Sequence, residues 1–204
     1  MTHLPGRLIV LDRDGVINHD SDAFIKSPAE WIPIAGSIEA LARLSQNGFT
    51  VAVASNQSGV GRKLMDRTTL HAIHRKMRRA VARAGGSLGR IVYCPHVPTD
   101  NCDCRKPAPG LLERLARHYG VSMRGVPVVG DSGRDLEAAV AVDARPILVL
   151  TGNGRATERD LGERRIVVEI YDDLRQAARA LIAERERSPL QSLDPRPEKV
   201  RERR

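Results

Sequence analysis

The chain has 204 residues, of which 41% are hydrophobic, 28% charged and 3% aromatic. That length suits one globular domain, with a core made of Val, Ile, Leu and Ala rather than of rings. No apolar run approaches the roughly 20 residues of a membrane-spanning helix. The net charge of +8 can steer small anions, but it comes without the interleaved aromatics that accompany nucleic-acid binding. Met1 to Arg7 contain no long apolar stretch. The expectation is a cytoplasmic protein, monomeric, with no nucleic-acid or membrane partner.

In chain order, Leu8-Ile9-Val10-Leu11 predicts a buried strand that ends in Asp12-Arg13-Asp14-Gly15. A polar loop from Asn18 to Pro33 follows, with Trp31 expected to pack over its base. Ile38, Leu41 and Leu44 fall at helical spacing, with Ser37 as the expected cap. Thr50 to Ala54 is a second strand, ending in Ser55-Asn56-Gln57-Ser58. Leu70, Ile73, Met77 and Val81 mark one face of a basic helix over 68–84, on which His71 and His74 are expected to be solvated. Ile91 to Tyr93 is a third strand and runs into a cysteine-rich loop. A helix through Leu111, Leu112, Leu115 and Tyr119 leads to a fourth strand, Val126 to Val129, which ends in Gly130-Asp131. A short helix over 135–142, a strand over 146–150 and a strand over 166–168 follow. A last helix is predicted over 174–183. Residues 1–183 are read as one catalytic domain and 184–204, rich in Pro, Arg and Glu, as a disordered basic tail.

Strands alternate with helices throughout, which predicts a Rossmann-like parallel sheet covered by helices on both faces, with no large cap domain. In such a sheet every strand points its carboxyl end at one edge. Asp12, Asp14, Ser55, Lys106 and Asp131 should therefore converge on one crevice. Their chemistry is coherent. One carboxylate can attack phosphorus and a second can move protons. An ammonium and a hydroxyl can stabilise the charge on a transferring phosphoryl group. Crowded carboxylates beside a dianion call for a hard cation such as Mg²⁺. A lone Asp-x-Asp-Gly would more often be a turn, but the ordered set of four elements argues against that.

Cys94-x-His96-x5-Cys102-x-Cys104 offers three thiolates and an imidazole, a set suited to tetrahedral, structural Zn²⁺. The competing reading is a free or redox-active Cys-x-Cys pair. A zinc-clamped loop would fix Arg105 and Lys106, which follow the last ligand.

These motifs resemble the haloacid dehalogenase superfamily of phosphatases: Asp-Arg-Asp-Gly-Val at 12–16, Ser-Asn-Gln at 55–57, Lys106, and Gly-Asp at 130–131 with Asp135 behind. The resemblance implies Asp12 as nucleophile and Asp14 as general acid/base. Ser55 and Lys106 would hold the phosphoryl group. Mg²⁺ would lie on Asp12, the Asp14 carbonyl and Asp131. Asp135 would orient Lys106, and the first strand would lie beside the fourth. The zinc loop is similar to a small-cap branch that contains heptose bisphosphatases and histidinol-phosphate phosphatases.

The run 18–28, Asn56 to Arg62, and Thr151-Gly152-Asn153-Gly154 resemble the heptose form. That form implies removal of the 7-phosphate of a heptose 1,7-bisphosphate, in the making of activated heptose for lipopolysaccharide. The short zinc loop keeps histidinol phosphate open as the alternative substrate. Substrate contacts are expected at Asp20, Ser21, Asp22, Ala23, Ser55, Asn56, Gln57, Ser58, Arg105 and Lys106; for the loop at 20–23 the competing reading is solvated turn residues. Arg105 is suited to a second phosphate through its planar fork. Ser132 is uncharged where a charged residue often meets substrate. A non-catalytic zinc module that binds nucleic acid through the basic helix is the reading from another class.

Overall fold

The computed structural model describes residues 7–164 and 166–187. The strands are β1 (Leu8–Leu11), β2 (Thr50–Asn56), β3 (Ile91–Cys94), β4 (Pro127–Gly130), β5 (Arg145–Val149) and β6 (Glu169–Tyr171). The helices are α1 (Ser37–Gln46), α2 (Ser58–Gly61), α3 (Arg67–Arg83), α4 (Gly110–Tyr119), α5 (Gly133–Val140), α6 (Gly154–Arg164) and α7 (Leu174–Arg187). All strand pairs are parallel, in the order β3-β2-β1-β4-β5-β6. β1 thus lies beside β4, as expected, and the chain reverses direction across the sheet at that point.

Alternation along β1 explains the two-sided core. Ile9 and Leu11 face one way with Val51, Val53 and Val129, against Leu41 and Leu44 of α1, Leu70 and Met77 of α3, and Leu181 of α7. Leu8 and Val10 face the other way with Ala52, Ala54 and Val128, against Leu111 and Leu115 of α4 and Ala138 of α5. Successive side chains of a strand point to opposite faces, so a strand apolar throughout must be covered twice.

The structure departs from the sequence expectations in several places. Ser37 is not the cap of α1. Gly36 holds that position in the left-handed region, and the Ser37 hydroxyl donates to the Ile17 carbonyl at 2.6 Å. The hydroxyl therefore ties the helix to the loop that follows β1. The sixth strand lies at Glu169–Tyr171, not over 166–168, and Val167 is exposed. Register with β5 decides this: Ile170 pairs with Leu148, and Arg145 on β5 forms ion pairs with Glu169 on β6 and Glu184 on α7. The apolar run was a poorer guide than the ladder. α6 was not anticipated, because Arg, Glu and Asp dominate it and leave no clear apolar stripe. α7 continues through Arg187, past the expected domain end at Ala183; the rest of the expected tail, 188–204, lies outside the described residues. No helix among the described residues is long and apolar enough to cross a membrane.

Leu41 is fully buried between α1 and the sheet. Leu41→Ala is expected to cost about 2–5 kcal/mol, read as a lower urea midpoint with an unchanged slope.

Candidate active site

The carboxyl ends of β1, β2 and β4, with the loops after β3 and β5, line a cavity of about 370 Å³. Its floor is acidic. Asp12 follows β1 and Asp131 follows β4, and Asp135 comes from the first turn of α5. Carboxylate oxygens of the three lie within 4.8 Å of one another. The Lys106 ammonium is buried among them. Its Nζ lies 3.0 Å from Asp12 Oδ1 and 2.5 Å from Asp135 Oδ1, and it donates to the Ala54 carbonyl at 2.8 Å. One hydrogen bond and two ion pairs thus surround the ammonium and fix the charge in position. Burial works against that charge, yet Asp12 and Asp135 more than offset it and hold the ammonium above its ordinary range.

Three acids around one ammonium leave a buried negative excess. Burial pushes the Asp12 carboxyl up to about 6; Lys106 pulls it down, while Asp135 and Asp14 push it up. Burial, then the charges of Asp12 and Asp135, push Asp131 to about 8. Asp131 is also gripped sterically. A Cβ on Gly15 would fall 2.0 Å from its Oδ2, and one on Gly152 would fall 2.2 Å away. Asn153 donates to that same oxygen from its backbone N–H at 2.8 Å and from its side chain at 3.3 Å. A crowded, desolvated set of hard oxygen donors fits a divalent cation such as Mg²⁺.

Asp14 faces a different set of partners. Its carboxylate accepts both arms of the Arg13 fork at 2.9 Å, Asn18 Nδ2 at 2.8 Å and Gln57 Nε2 at 2.7 Å. Asn18 is held in turn by Trp31, whose Nε1 donates to Asn18 Oδ1 at 3.0 Å. Trp31 is 1% exposed and does pack under the loop, as its sequence position implied.

The zinc-type residues also gather. Cys94 Sγ lies 3.6 Å from His96 Nδ1 and 3.6 Å from Cys102 Sγ. Cys104 Sγ lies 3.4 Å from His96 Nδ1 and 3.6 Å from Cys102 Sγ. A tetrahedral zinc with bonds of about 2.3 Å separates its sulfur ligands by about 3.8 Å. The four atoms thus have the spacing of a tetrahedron's corners. None of the cysteines is in a disulfide. Burial opposes ionisation of Cys102, but the neighbouring thiols and the backbone N–H of Arg105 outweigh it and bring the thiol down to about 7.

Among the residues singled out in the sequence, Asp12, Asp14, Asp20, Ser21, Asp22, Asn56, Gln57, Ser58, Arg105, Lys106 and Asp131 line the cavity. Ala23 is exposed and outside the lining; its N–H donates to the Ser21 hydroxyl at 3.2 Å. Ser55 is buried beneath the lining, where Gln57 Nε2 donates to its hydroxyl at 2.9 Å. Asn56 clamps Lys106: its Nδ2 donates to the Lys106 carbonyl at 3.0 Å and its Oδ1 accepts from the Lys106 N–H at 3.1 Å.

Sequence reasoning missed Arg62, Arg134 and Asn153 in the lining. Asn153 and Arg62 lay in quoted motifs without a role, and Arg134 was hidden in a chain with 33 basic residues. His74 was misjudged. It is 7% exposed rather than solvated, and burial, with the Arg13 charge next, presses its pKa down to about 3. Its position on the apolar face of α3, four residues after Leu70 and three before Met77, was the available signal.

Gly130 has no room for a side chain, since a Cβ there would sit 2.2 Å from the Asp135 Cβ. Gly130→Ala is expected to displace Asp135 from Lys106, costing about 1–3 kcal/mol in stability. Thermal unfolding checks this, and kcat should fall with it.

Residues 103–177 match the HAD-hydrolase-like family model. The chain is similar to the D-glycero-beta-D-manno-heptose-1,7-bisphosphate 7-phosphatase of Pseudomonas putida, with 54% identity over 86% of this chain and 99% of the relative. It is 35% identical to the enzyme of that name from Escherichia coli, over 71% of this chain and 79% of the relative. The crystal structure of D,D-heptose 1,7-bisphosphate phosphatase from Bordetella bronchiseptica, complexed with magnesium and phosphate, superposes with a TM-score of 0.83 at 52% identity. That match covers 87% of this chain and 99% of the other. Strand order, converging carboxylates and these likenesses agree: the chain belongs to the D-glycero-beta-D-manno-heptose-1,7-bisphosphate 7-phosphatase family of haloacid dehalogenase-like phosphatases.

Proposed function

We propose that this chain removes the 7-phosphate of D-glycero-beta-D-manno-heptose 1,7-bisphosphate through an aspartyl phosphate on Asp12, with Mg²⁺ as cofactor. The observation that carries the reading is the arrangement of Asp12, Asp14, Lys106 and Asp131 around one cavity at the β1–β4 junction. The relatives at 54% and 52% identity support the heptose substrate over histidinol phosphate. Such an activity fits a cytoplasmic step in making activated heptose for lipopolysaccharide, carried out by a monomer.

The chain's residues divide the chemistry. An Asp12 oxygen forms a bond to phosphorus as the bond to the sugar oxygen breaks, and Asp14 supplies the proton that oxygen needs. Water then attacks the phosphorus, Asp14 takes its proton, and the Asp12–phosphorus bond breaks. Lys106 lies beside Asp12 and offsets charge on the phosphoryl oxygens; the Ser55 hydroxyl, which accepts from Gln57 Nε2 and keeps its own hydrogen to donate, would join it. Asp12, the Asp14 carbonyl and Asp131 would hold Mg²⁺, which supplies positive charge to the phosphoryl group. Arg105 is half-buried at the rim, 3.3 Å from the His96 carbonyl to which it donates. It suits the phosphate that does not react, with Asp20, Ser21 and Asp22 on the sugar side. Cys94, His96, Cys102 and Cys104 would hold a structural Zn²⁺ that fixes the approach to Arg105 and Lys106.

Asp12→Asn is expected to lower phosphate release from the bisphosphate by at least about 10³-fold while the protein remains folded. Equal rates in the two proteins would remove Asp12 as nucleophile. Protons compete with the cation for Asp12 and Asp131, whose carboxyls sit near 6 and 8. Mg²⁺ affinity should therefore strengthen as pH rises from 6 to 8, as measured by the Mg²⁺ concentration for half-maximal rate. Metal analysis should find one zinc per chain, and Cys102→Ser should lower both zinc content and thermal stability.

A further inference from the structure

Three buried side-chain atoms have no hydrogen-bond partner among the described residues: Asp135 Oδ1, which lies in the ion pair with Lys106, Arg13 Nη1 and His74 Nε2. Arg13 is 0% exposed. Its Nε and Nη2 are spent on the two Asp14 oxygens at 2.9 Å, so only Nη1 faces away from that carboxylate. A buried guanidinium with an unused arm is costly to leave without an acceptor. His74 enters from α3, and Arg13 is the charge that acts on it most strongly. Nη1 is left with its hydrogens unspent while the other two arms hold Asp14.

We infer that Arg13 is a positioning residue for Asp14, its planar fork fixing the direction of that carboxylate. The inference rests on the role of Asp14 given above. Arg13 is the residue between the two acids of the strand-end motif, yet its own side chain never reaches the cavity lining. Its fork takes both oxygens of Asp14, while Asn18 and Gln57 take one each. A carboxylate held by a planar fork has one orientation rather than several. Proton transfer to a sugar oxygen, and then from water, depends on that orientation, and a displacement of about 1 Å can cost on the order of 10²-fold in rate. Lys76, two residues beyond His74, donates to the Trp31 carbonyl at 2.8 Å. Trp31 in turn holds Asn18. α3 thus supports Asp14 through Trp31 and Asn18.

The test is a double-mutant cycle on the full chain, using the heptose bisphosphate or, should wild type not hydrolyse it, p-nitrophenyl phosphate. Wild-type turnover and Asp12→Asn report on the functional reading; the cycle reports on Arg13. Arg13→Met and Arg13→Lys are each expected to lower kcat about 10–100-fold, with KM changed less than about threefold. Combined with Asp14→Asn, Arg13→Met should cause no further loss, because Arg13 acts through Asp14. Should Arg13→Met not fold, Arg13→Lys keeps the buried charge and carries the same cycle. Losses that multiply in the double variant, or wild-type kcat in the folded Arg13 variants, would overturn the inference.

Discussion

The buried Lys106 ammonium is the charge on which the rest of this site depends. Asp12 and Asp135 reach it from the ends of different elements as ion-pair partners, and the carbonyl of Ala54 accepts a hydrogen bond from it. Without that ammonium, three carboxylates within 4.8 Å of one another would repel in a desolvated space. With it, the site still carries a negative excess, which is the electrostatic reason it suits a divalent cation. The protein places Lys106 accurately by several constraints at once. Asn56 takes both polar groups of its backbone, and the cysteine-histidine cluster ends two residues before it. A buried charge pair is weak support for stability, but a well-partnered one fixes geometry. Here geometry is what the chemistry uses.

The two acids after β1 are only two residues apart, yet they sit in different surroundings. Asp12 points to the ammonium and the other carboxylates. Asp14 points to a guanidinium and two amides. The first environment crowds negative charge and favours an atom that will bond to phosphorus beside a cation. The second satisfies the carboxylate with donors that fix its direction. One tight turn, with Gly15 at φ +78, sends the two side chains to these separate environments. Gly15 also lets Asp131 approach, so the same residue serves the turn and the cation side of the cavity.

The loop after β1 and the loop after β5 are joined over the cavity. Asn153 donates to Asp20 at 3.2 Å as well as to Asp131. Thr151 donates to the Gly15 carbonyl at 2.6 Å. Asp20 on the polar loop is thereby tied to the buried Asp131 through Asn153. Trp31 gives that loop an apolar anchor, and Lys76 on α3 holds the Trp31 carbonyl. The mouth of the site is therefore an extension of the core rather than a separate cap.

The sequence by itself determined the strands, their two-sided burial and the order of the chemical groups. Continuous apolar runs such as Leu8 to Leu11 can only be strands covered on both faces, and polar residues at their ends must meet at one edge. The cysteine-histidine spacing was equally readable, because four soft ligands in eleven residues have few other uses. Tertiary structure alone decided what depends on contacts between distant segments. The strand after α6 was placed by its ladder with β5 and by Arg145, not by the apolar run at 166–168. Ser37 lost its capping role to a carbonyl twenty residues earlier. The burial of His74 and the pairing of Arg13 with Asp14 arise where α3 packs against the turn after β1. No local pattern encodes such a juxtaposition, since a charged side chain becomes a partner or a solvated surface group only through what the fold brings beside it.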